Sequence, residues 1–321
     1  MKKILTILAA TTALAVFAPT VMAAKIAVVG GKSDDLFFNK IKKGMDDACL
    51  AVVANGGTCS YLQLQTYDNI GADAAQLVRT AITQGVDGIV VPNWVPDAED
   101  PAIKEAMAKG IKIILMNAGG GDKAKELGAI NYVGNEEYTA GLAAGAYYAG
   151  KGQKNIICVN TVPGAGNLEA RCKGVADGAA KAGAKSTQLP LPASSFGDPT
   201  AVAEAIKATL VKDPSIDGVI TISAGDADSA ATGVEQAGKT GKAILASFDF
   251  NQSGLDRIKA GTQGFAIDQQ PYLQGNIAVN LLANYIDFGN LLPTFPVLTG
   301  PGIIDKTNIE PTLMGVKAGA R

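Results

Sequence analysis

The segment KIAVVGGKSDDLFFNK, Lys25 to Lys40, reads as a strand, a loop and a helix start in quick succession. Ile26, Ala27, Val28 and Val29 form an apolar run rich in β-branched residues, which favour a pleated, buried backbone. Gly30 and Gly31 interrupt the run, polar residues follow, and Phe37 and Phe38 open a helix. A strand that feeds a helix through a polar loop is the building unit of parallel α/β sheets. In open sheets of this kind ligands bind beyond the carboxyl ends of the strands. The loop residues therefore carry most of the functional information.

Upstream of this segment lies a different kind of sequence. Lys2 and Lys3 precede an apolar stretch from Ile4 to Phe17, Pro19 breaks it, and Val21, Met22 and Ala23 prepare a cut. These are the parts of a secretory signal peptide, with an apolar core too short for a good membrane-spanning helix. Residues 1–23 are expected to be removed and the mature chain to begin at Ala24, soluble outside the cytoplasm. No cysteine stands at the cut, which disfavours a lipid anchor.

Downstream the strand–loop–helix unit recurs. Strands are expected at Ser60 to Leu64, Gly88 to Val91, Ile111 to Met116, Asn155 to Asn160, Thr187 to Leu189, Gly218 to Ile222, Ala243 to Phe248 and Gly264 to Ile267. A short one is expected near Gly302 to Ile304. Helical periodicity fills the intervals, including Ala72 to Thr83, Pro101 to Lys109, Glu137 to Ala149, Leu168 to Ala182, Pro199 to Val211, Gln252 to Ala260 and Tyr272 to Phe288. Asn131 to Gly134 reads as a short extended link, after which the pattern restarts. The fold class is α/β, with two doubly wound parallel-sheet domains.

The full sequence has 321 residues, 28 basic and 30 acidic, for a net charge of −2, and loss of Lys2 and Lys3 takes it to −4 (−2 minus 2). No nucleic-acid footprint or polybasic membrane patch appears. Histidine is absent, which excludes Ser-His-Asp and Cys-His nucleophilic sites and histidine zinc sites. Chemistry based on carboxylates alone stays open. The four cysteines, Cys49, Cys59, Cys158 and Cys172, are an even count in an exported chain and point to disulfides. Of the three pairings, the local one, Cys49 with Cys59 and Cys158 with Cys172, is expected, each bridge joining a strand to an adjacent helix. No CxxC spacing supports a metal site, and neither metal nor cofactor is expected.

Three motifs look sharper than their context allows. Gly233 to Thr240, GVEQAGKT, matches the phosphate-binding GxxxxGK[ST] pattern letter for letter. That loop must follow a strand and open a helix, whereas here a helix precedes and a strand follows. Gly164 and Gly166 sit where a dinucleotide loop would, but Glu169 occupies the place of the third glycine. Asp226 and Asp228 resemble a ligand pair, yet carboxylates at a helix start are more simply partners of its dipole.

The residues at strand ends form a consistent set: Asp35, Phe37, Phe38, Asn93, Trp94, Asn117, Asn167, Arg171, Phe196, Asp226, Asp249 and Gln269. Aromatic faces cover the C–H surface of a polyhydroxylated ring, carboxylates accept from its hydroxyls, and arginine and amides donate to them. The stretches Asp35-Leu36-Phe37-Phe38, Arg171-Cys172-Lys173-Gly174, Gly225-Asp226, Phe248-Asp249 and Asp268-Gln269-Gln270-Pro271, with Asn117 after the fourth strand, resemble in order and spacing the periplasmic sugar-binding proteins of the ribose/galactose class. The resemblance spans the whole mature chain. It implies a two-domain receptor with a three-segment hinge, crossing near Gly134, Gln269 and Val297. The domains would be 24–133 with 270–297, and 134–269 with 298–321. It also implies that Phe37, Phe38 and Phe196 sandwich a sugar whose hydroxyls meet Asn117, Arg171, Asp249 and Gln269. The ribose-type pattern has an Asp-Arg pair where this chain has Asn117-Ala118, and an Asn where it has Gly225, so ribose itself is disfavoured.

The implied function is a monomeric periplasmic receptor that binds a monosaccharide or polyol, closes around it and presents it to the membrane permease subunits of an ABC importer. It would be no enzyme and have no nucleic-acid partner. An amino-acid or autoinducer receptor on the same fold remains an alternative, using Arg171 and Asp249 against opposite charges. A secreted carboxylate glycosidase is a further one. A sugar-sensing transcription regulator would need a basic helix-turn-helix where the signal peptide stands.

Overall fold

The computed structural model describes residues 23–321, so the expected signal peptide lies outside the described residues apart from Ala23. The first half runs β1 (Lys25–Gly30), α1 (Leu36–Ala54), β2 (Thr58–Gln63), α2 (Ile70–Thr83), β3 (Gly88–Val91), α3 (Pro96–Ala108), β4 (Lys112–Met116), α4 (Gly120–Leu127) and β5 (Asn131–Asn135). The second runs α5 (Glu137–Gly150), β6 (Asn155–Asn160), α6 (Gly166–Lys181), β7 (Lys185–Pro190), α7 (Pro199–Lys212), β8 (Gly218–Thr221), α8 (Ala224–Gln236), β9 (Ile244–Phe248), α9 (Gln252–Ala260) and β10 (Phe265–Asp268). The chain then returns through α10 (Pro271–Phe288) and β11 (Val297–Gly300) and ends with β12 (Gly302–Ile304) and α11 (Glu310–Lys317).

Two six-stranded sheets result, in the orders β11-β5-β4-β3-β1-β2 and β12-β10-β9-β8-β6-β7. Every pairing is parallel except that of β12 with β10. Central strands such as β3 and β8 are buried along their whole length, as a sheet covered on both faces requires. The chain passes between the sheets after Asn135, after Asp268 and between Gly300 and Gly302. The expected crossing near Gly134 therefore cuts through β5, and that near Val297 falls at the start of β11. Asn131 to Gly134 is not a link but most of a strand, wholly buried between β4 and β11.

The inverted phosphate-loop context holds: α8 ends at Gln236, Gly238 takes a left-handed turn with φ +65°, and β9 follows. Asp228 accepts from Arg257 Nη1 at 2.7 Å and from Asn251 and Ser253, which accounts for it without a cation.

Glycine has a more specific use than general small-residue packing. A Cβ at Gly44 of α1 would strike the carbonyl of Tyr272, and one at Gly275 of α10 would strike that of Ile41. In the other half, Gly141 of α5 and Gly174 of α6 stand against Arg171 and Tyr138 main-chain oxygens in the same manner. Each half thus brings one helix pair to backbone contact, and in the second half this fixes the height of Arg171 on α6.

Both expected disulfides are formed, Cys49–Cys59 with Cα atoms 6.2 Å apart and Cys158–Cys172 at 5.5 Å. The first ties α1 to β2 and the second ties β6 to α6, beside Arg171. Each closes a short loop, for which the entropic argument gives about 2–4 kcal/mol. Non-reducing peptide mapping of the purified protein should recover both cross-linked peptides, and free thiols at any of the four positions would contradict the assignment.

Candidate functional site

The carboxyl ends of the two sheets face one another, and the strand-end loops meet there. Asp35 caps α1: its Oδ1 accepts from the Phe37 N–H at 2.9 Å and its Oδ2 from the Tyr67 hydroxyl at 2.6 Å. This cap sets the direction of the first turn and so aims Phe37 and Phe38. Phe38 lies edge-on to Trp94 with ring centres 5.7 Å apart. Tyr67 meets Phe196, from the other half, edge-on at 5.0 Å.

Asn117 and Asp249 occupy matching places, each directly after the third-from-one-edge strand of its sheet, β4 and β9. Both have left-handed backbones, φ 65° and 59°. Asn and Asp tolerate that region better than other non-glycine residues. Residues held in sparsely populated backbone regions cluster at ligand sites.

Arg171 is 3 % exposed and almost fully engaged. Its Nε and Nη2 donate to the two carboxylate oxygens of Glu137 at 2.7 and 2.8 Å. Nη2 also donates to Gln269 Oε1 at 2.7 Å and Nη1 to the Ile222 carbonyl at 2.9 Å. The guanidinium stacks 4.7 Å from the centre of the Phe248 ring. Of its five N–H donors a single one, on Nη1, is left over. Gln269 in turn donates from Nε2 to both oxygens of Asp249 at 3.0 Å. Burial pushes the Asp249 carboxyl up to about 7, against the opposing pull of Arg171 and Lys40.

These groups surround an inner cavity of about 60 Å³. The first half contributes Asp35, Phe37, Phe38, Trp94 and Asn117 from the sequence-derived set, and the second Asn167, Arg171, Phe196 and Asp249. The Asn167 Oδ1 is buried without a hydrogen-bond partner. A buried polar atom left unpaired costs free energy, and a ligand hydroxyl would relieve it.

Three candidates sit elsewhere. Asn93 is buried and donates to Asp100 Oδ1 at 2.8 Å, so it braces the loop after β3 and does not line the cavity. Asp226 faces an outer chamber, its Oδ2 held by Thr161 Oγ1 at 2.8 Å. Gln269 stands behind the cavity wall, joining Arg171 to Asp249. Conversely, Glu137, Tyr67 and Lys40 were missed. Tyr67 lies in a strand-end loop and was within reach of the same rule. Lys40, one turn beyond Phe37, gives no such signal.

The two halves touch on both sides of the cavity. The Gly166 N–H donates to the Trp94 carbonyl at 2.8 Å, and Lys40 Nζ donates to the Phe250 carbonyl at 3.0 Å. Trp94 is 3 % exposed in this closed arrangement. Ligand binding that closes the cleft should shift its emission, since it is the sole tryptophan. Unchanged fluorescence during a calorimetrically proven titration would place it outside the moving contact.

Residues 26–290 match the model of the periplasmic binding protein domain. The chain belongs to this family. Family membership makes it a solute-binding protein and not an enzyme. A structure of a carbohydrate transporter from Acidothermus cellulolyticus, in complex with myo-inositol, superposes with a TM-score of 0.83 at 36% identity, covering 93% of this chain and 99% of that one. An Agrobacterium vitis solute-binding protein with bound D-fucose gives a TM-score of 0.79 at 24% identity, over 91% and 99% of the two chains, and agrees in fold. A xylose/arabinose-binding protein of Sulfolobus acidocaldarius is 23% identical over 304 residues, 90% of this chain and 73% of its own.

The chain also carries a buried carboxyl remote from the ion pair. Glu99 of α3 is 0 % exposed; its Oε1 accepts from the Val95 N–H at 2.7 Å, and its Oε2 has no partner. Burial pushes it up to about 8, and Asp226 up to about 6. Together with Asp249, these groups hold more protons folded than unfolded between about pH 4 and 8, the span from ordinary carboxyl values to their raised ones. Stability therefore falls as pH rises through that window. The melting temperature of the ligand-free protein should drop from pH 6 to pH 8.5, with Glu99→Gln removing the upper part of the drop. A rise over that interval would contradict the assignment.

Proposed function

We propose that this protein is the periplasmic receptor for a neutral cyclic polyol or monosaccharide, which it encloses between its two halves and delivers to the membrane subunits of an ABC importer. The observation that carries this reading is the composition of the inner cavity. Aromatic edges and faces come from Phe37, Phe38, Trp94 and Phe196, and acceptors from Asp35, Asp249 and the unpartnered Asn167 oxygen. The Arg171 charge is already matched by Glu137, leaving one donor for a neutral hydroxyl. That argues against an amino-acid carboxylate as the principal ligand.

The two binding units are 24–135 with 271–300, and 136–270 with 302–321, moving about the three crossings as a monomer. Residues 1–23 serve as a cleaved export signal. The myo-inositol and D-fucose carried by structural relatives are the first ligands to test. Calorimetry of the mature chain against myo-inositol, D-fucose, D-arabinose, D-xylose and a panel of amino acids should give heat with one or more of the polyols. Binding confined to an amino acid would replace this reading with the amino-acid receptor.

A further inference from the structure

Outside the inner cavity the cleft widens into a chamber of about 580 Å³, against about 60 Å³ within. Asp35, Phe37, Phe196, Ser223 and Asp249 line both, so the two spaces share walls. A water needs about 10–15 Å³ of such volume, so the inner space receives only a few solvent-sized groups, the reach of one ring face. The chamber lies within the roughly 300–1,000 Å³ that enclose a whole drug-sized ligand.

One wall of the chamber is the start of α8, where Ser223, Ala224 and Gly225 are all small. A Cβ at Gly225 would meet nothing within 4 Å. The absent side chain leaves room where a larger residue would narrow the chamber. Lys40 is the one cation among the lining residues, and its ammonium is engaged by the Phe250 carbonyl. Asp34, Asp198, Glu204 and Asp226 supply acceptors to the chamber lining, while Asp228 is held by Arg257. Such a wall receives a unit rich in hydroxyl donors and repels an anion.

We propose that the chamber is a second sugar subsite, continuous with the first, and that the ligand is a disaccharide or a glycoside of a cyclic polyol. One ring presents a face to the inner cavity and the other rests against the starts of α7 and α8. This inference rests on the receptor reading above and narrows its ligand class.

Calorimetry on the full mature chain separates the two claims. The probes are myo-inositol with its O-galactoside, D-xylose with xylobiose, and myo-inositol 1-phosphate. At least one two-ring probe should bind tenfold or more tightly than its single-ring counterpart, and the phosphate should not bind. Gly225→Phe, which narrows the chamber, should cost the two-ring probe more than the single ring and bring the two affinities together, with the melting temperature unchanged. Single rings binding as tightly as their glycosides, or losing as much in Gly225→Phe, would overturn the subsite and leave the receptor standing. Tight binding of the phosphate would overturn the subsite as well. A chain that takes neither single nor double rings would overturn both.

Discussion

Arg171→Ala is expected to abolish measurable ligand binding and, in the same step, to destabilise the ligand-free protein by about 3–5 kcal/mol, the usual cost of removing one partner of a buried ion pair. The stability loss comes from Glu137. Its carboxylate is 7 % exposed and receives two guanidinium bonds plus one from Asn135 Nδ2 at 2.9 Å. Without the arginine, a buried charge keeps one donor of three. Replacing both members with neutral residues of similar volume is often tolerated, so Arg171→Met with Glu137→Gln should recover much of the melting temperature while binding stays lost. A double variant no more stable than the single one would show that Arg171 stabilises α6 by packing on Phe248 and not by pairing with Glu137.

Asp249→Asn is expected to weaken binding roughly 10- to 100-fold, the equivalent of one charge-assisted hydrogen bond of about 1.5–3 kcal/mol. Asparagine suits the test because it tolerates the left-handed backbone at this position, φ 59°. Alanine would add strain unrelated to the ligand. The wild-type protein should also show a pH signature. Hydroxyls that donate to Asp249 favour its ionised form, so bound ligand lowers a carboxyl that stands at about 7 when free. Affinity therefore rises with pH up to about 7 and then levels off, and the variant loses this dependence. An Asp249→Asn protein with wild-type affinity and the same pH profile would move the polar contact to another residue.

The regular parts of the fold were legible because strands such as Gly88–Val91 and Asn155–Asn160 are short apolar runs closed by proline, glycine or asparagine. What escaped had its signal masked. Helix α4 begins Gly120-Gly121 after Gly119, a run that reads as a loop. Strand β5, NYVGN, is polar at both ends, and neither asparagine announces its partner: Asn131 donates to the carbonyl of Thr294, far away in the sequence, and Asn135 to Glu137 at the start of the next helix. The site was legible through the strand-end rule, and it failed where the strand was unseen. With β5 read as a link, Glu137 was a helix residue like any other and not the first group beyond a strand. Asn93 obeyed the rule by position, but its amide turns toward α3, which begins at Pro96 and not at Pro101 as expected.

The two bonds that join the halves on either side of the cavity bear on how long a ligand stays. The Gly166–Trp94 bond is made by main chain alone, and the Lys40 ammonium also reaches a main-chain oxygen, so neither depends on which ring is enclosed. With the ligand enclosed as proposed, release requires both to part, and the parting is a motion of the protein. Residence times for a series of sugars then share an upper bound on release, the opening rate. Ligands that differ in affinity will differ in the fraction of openings that end in escape.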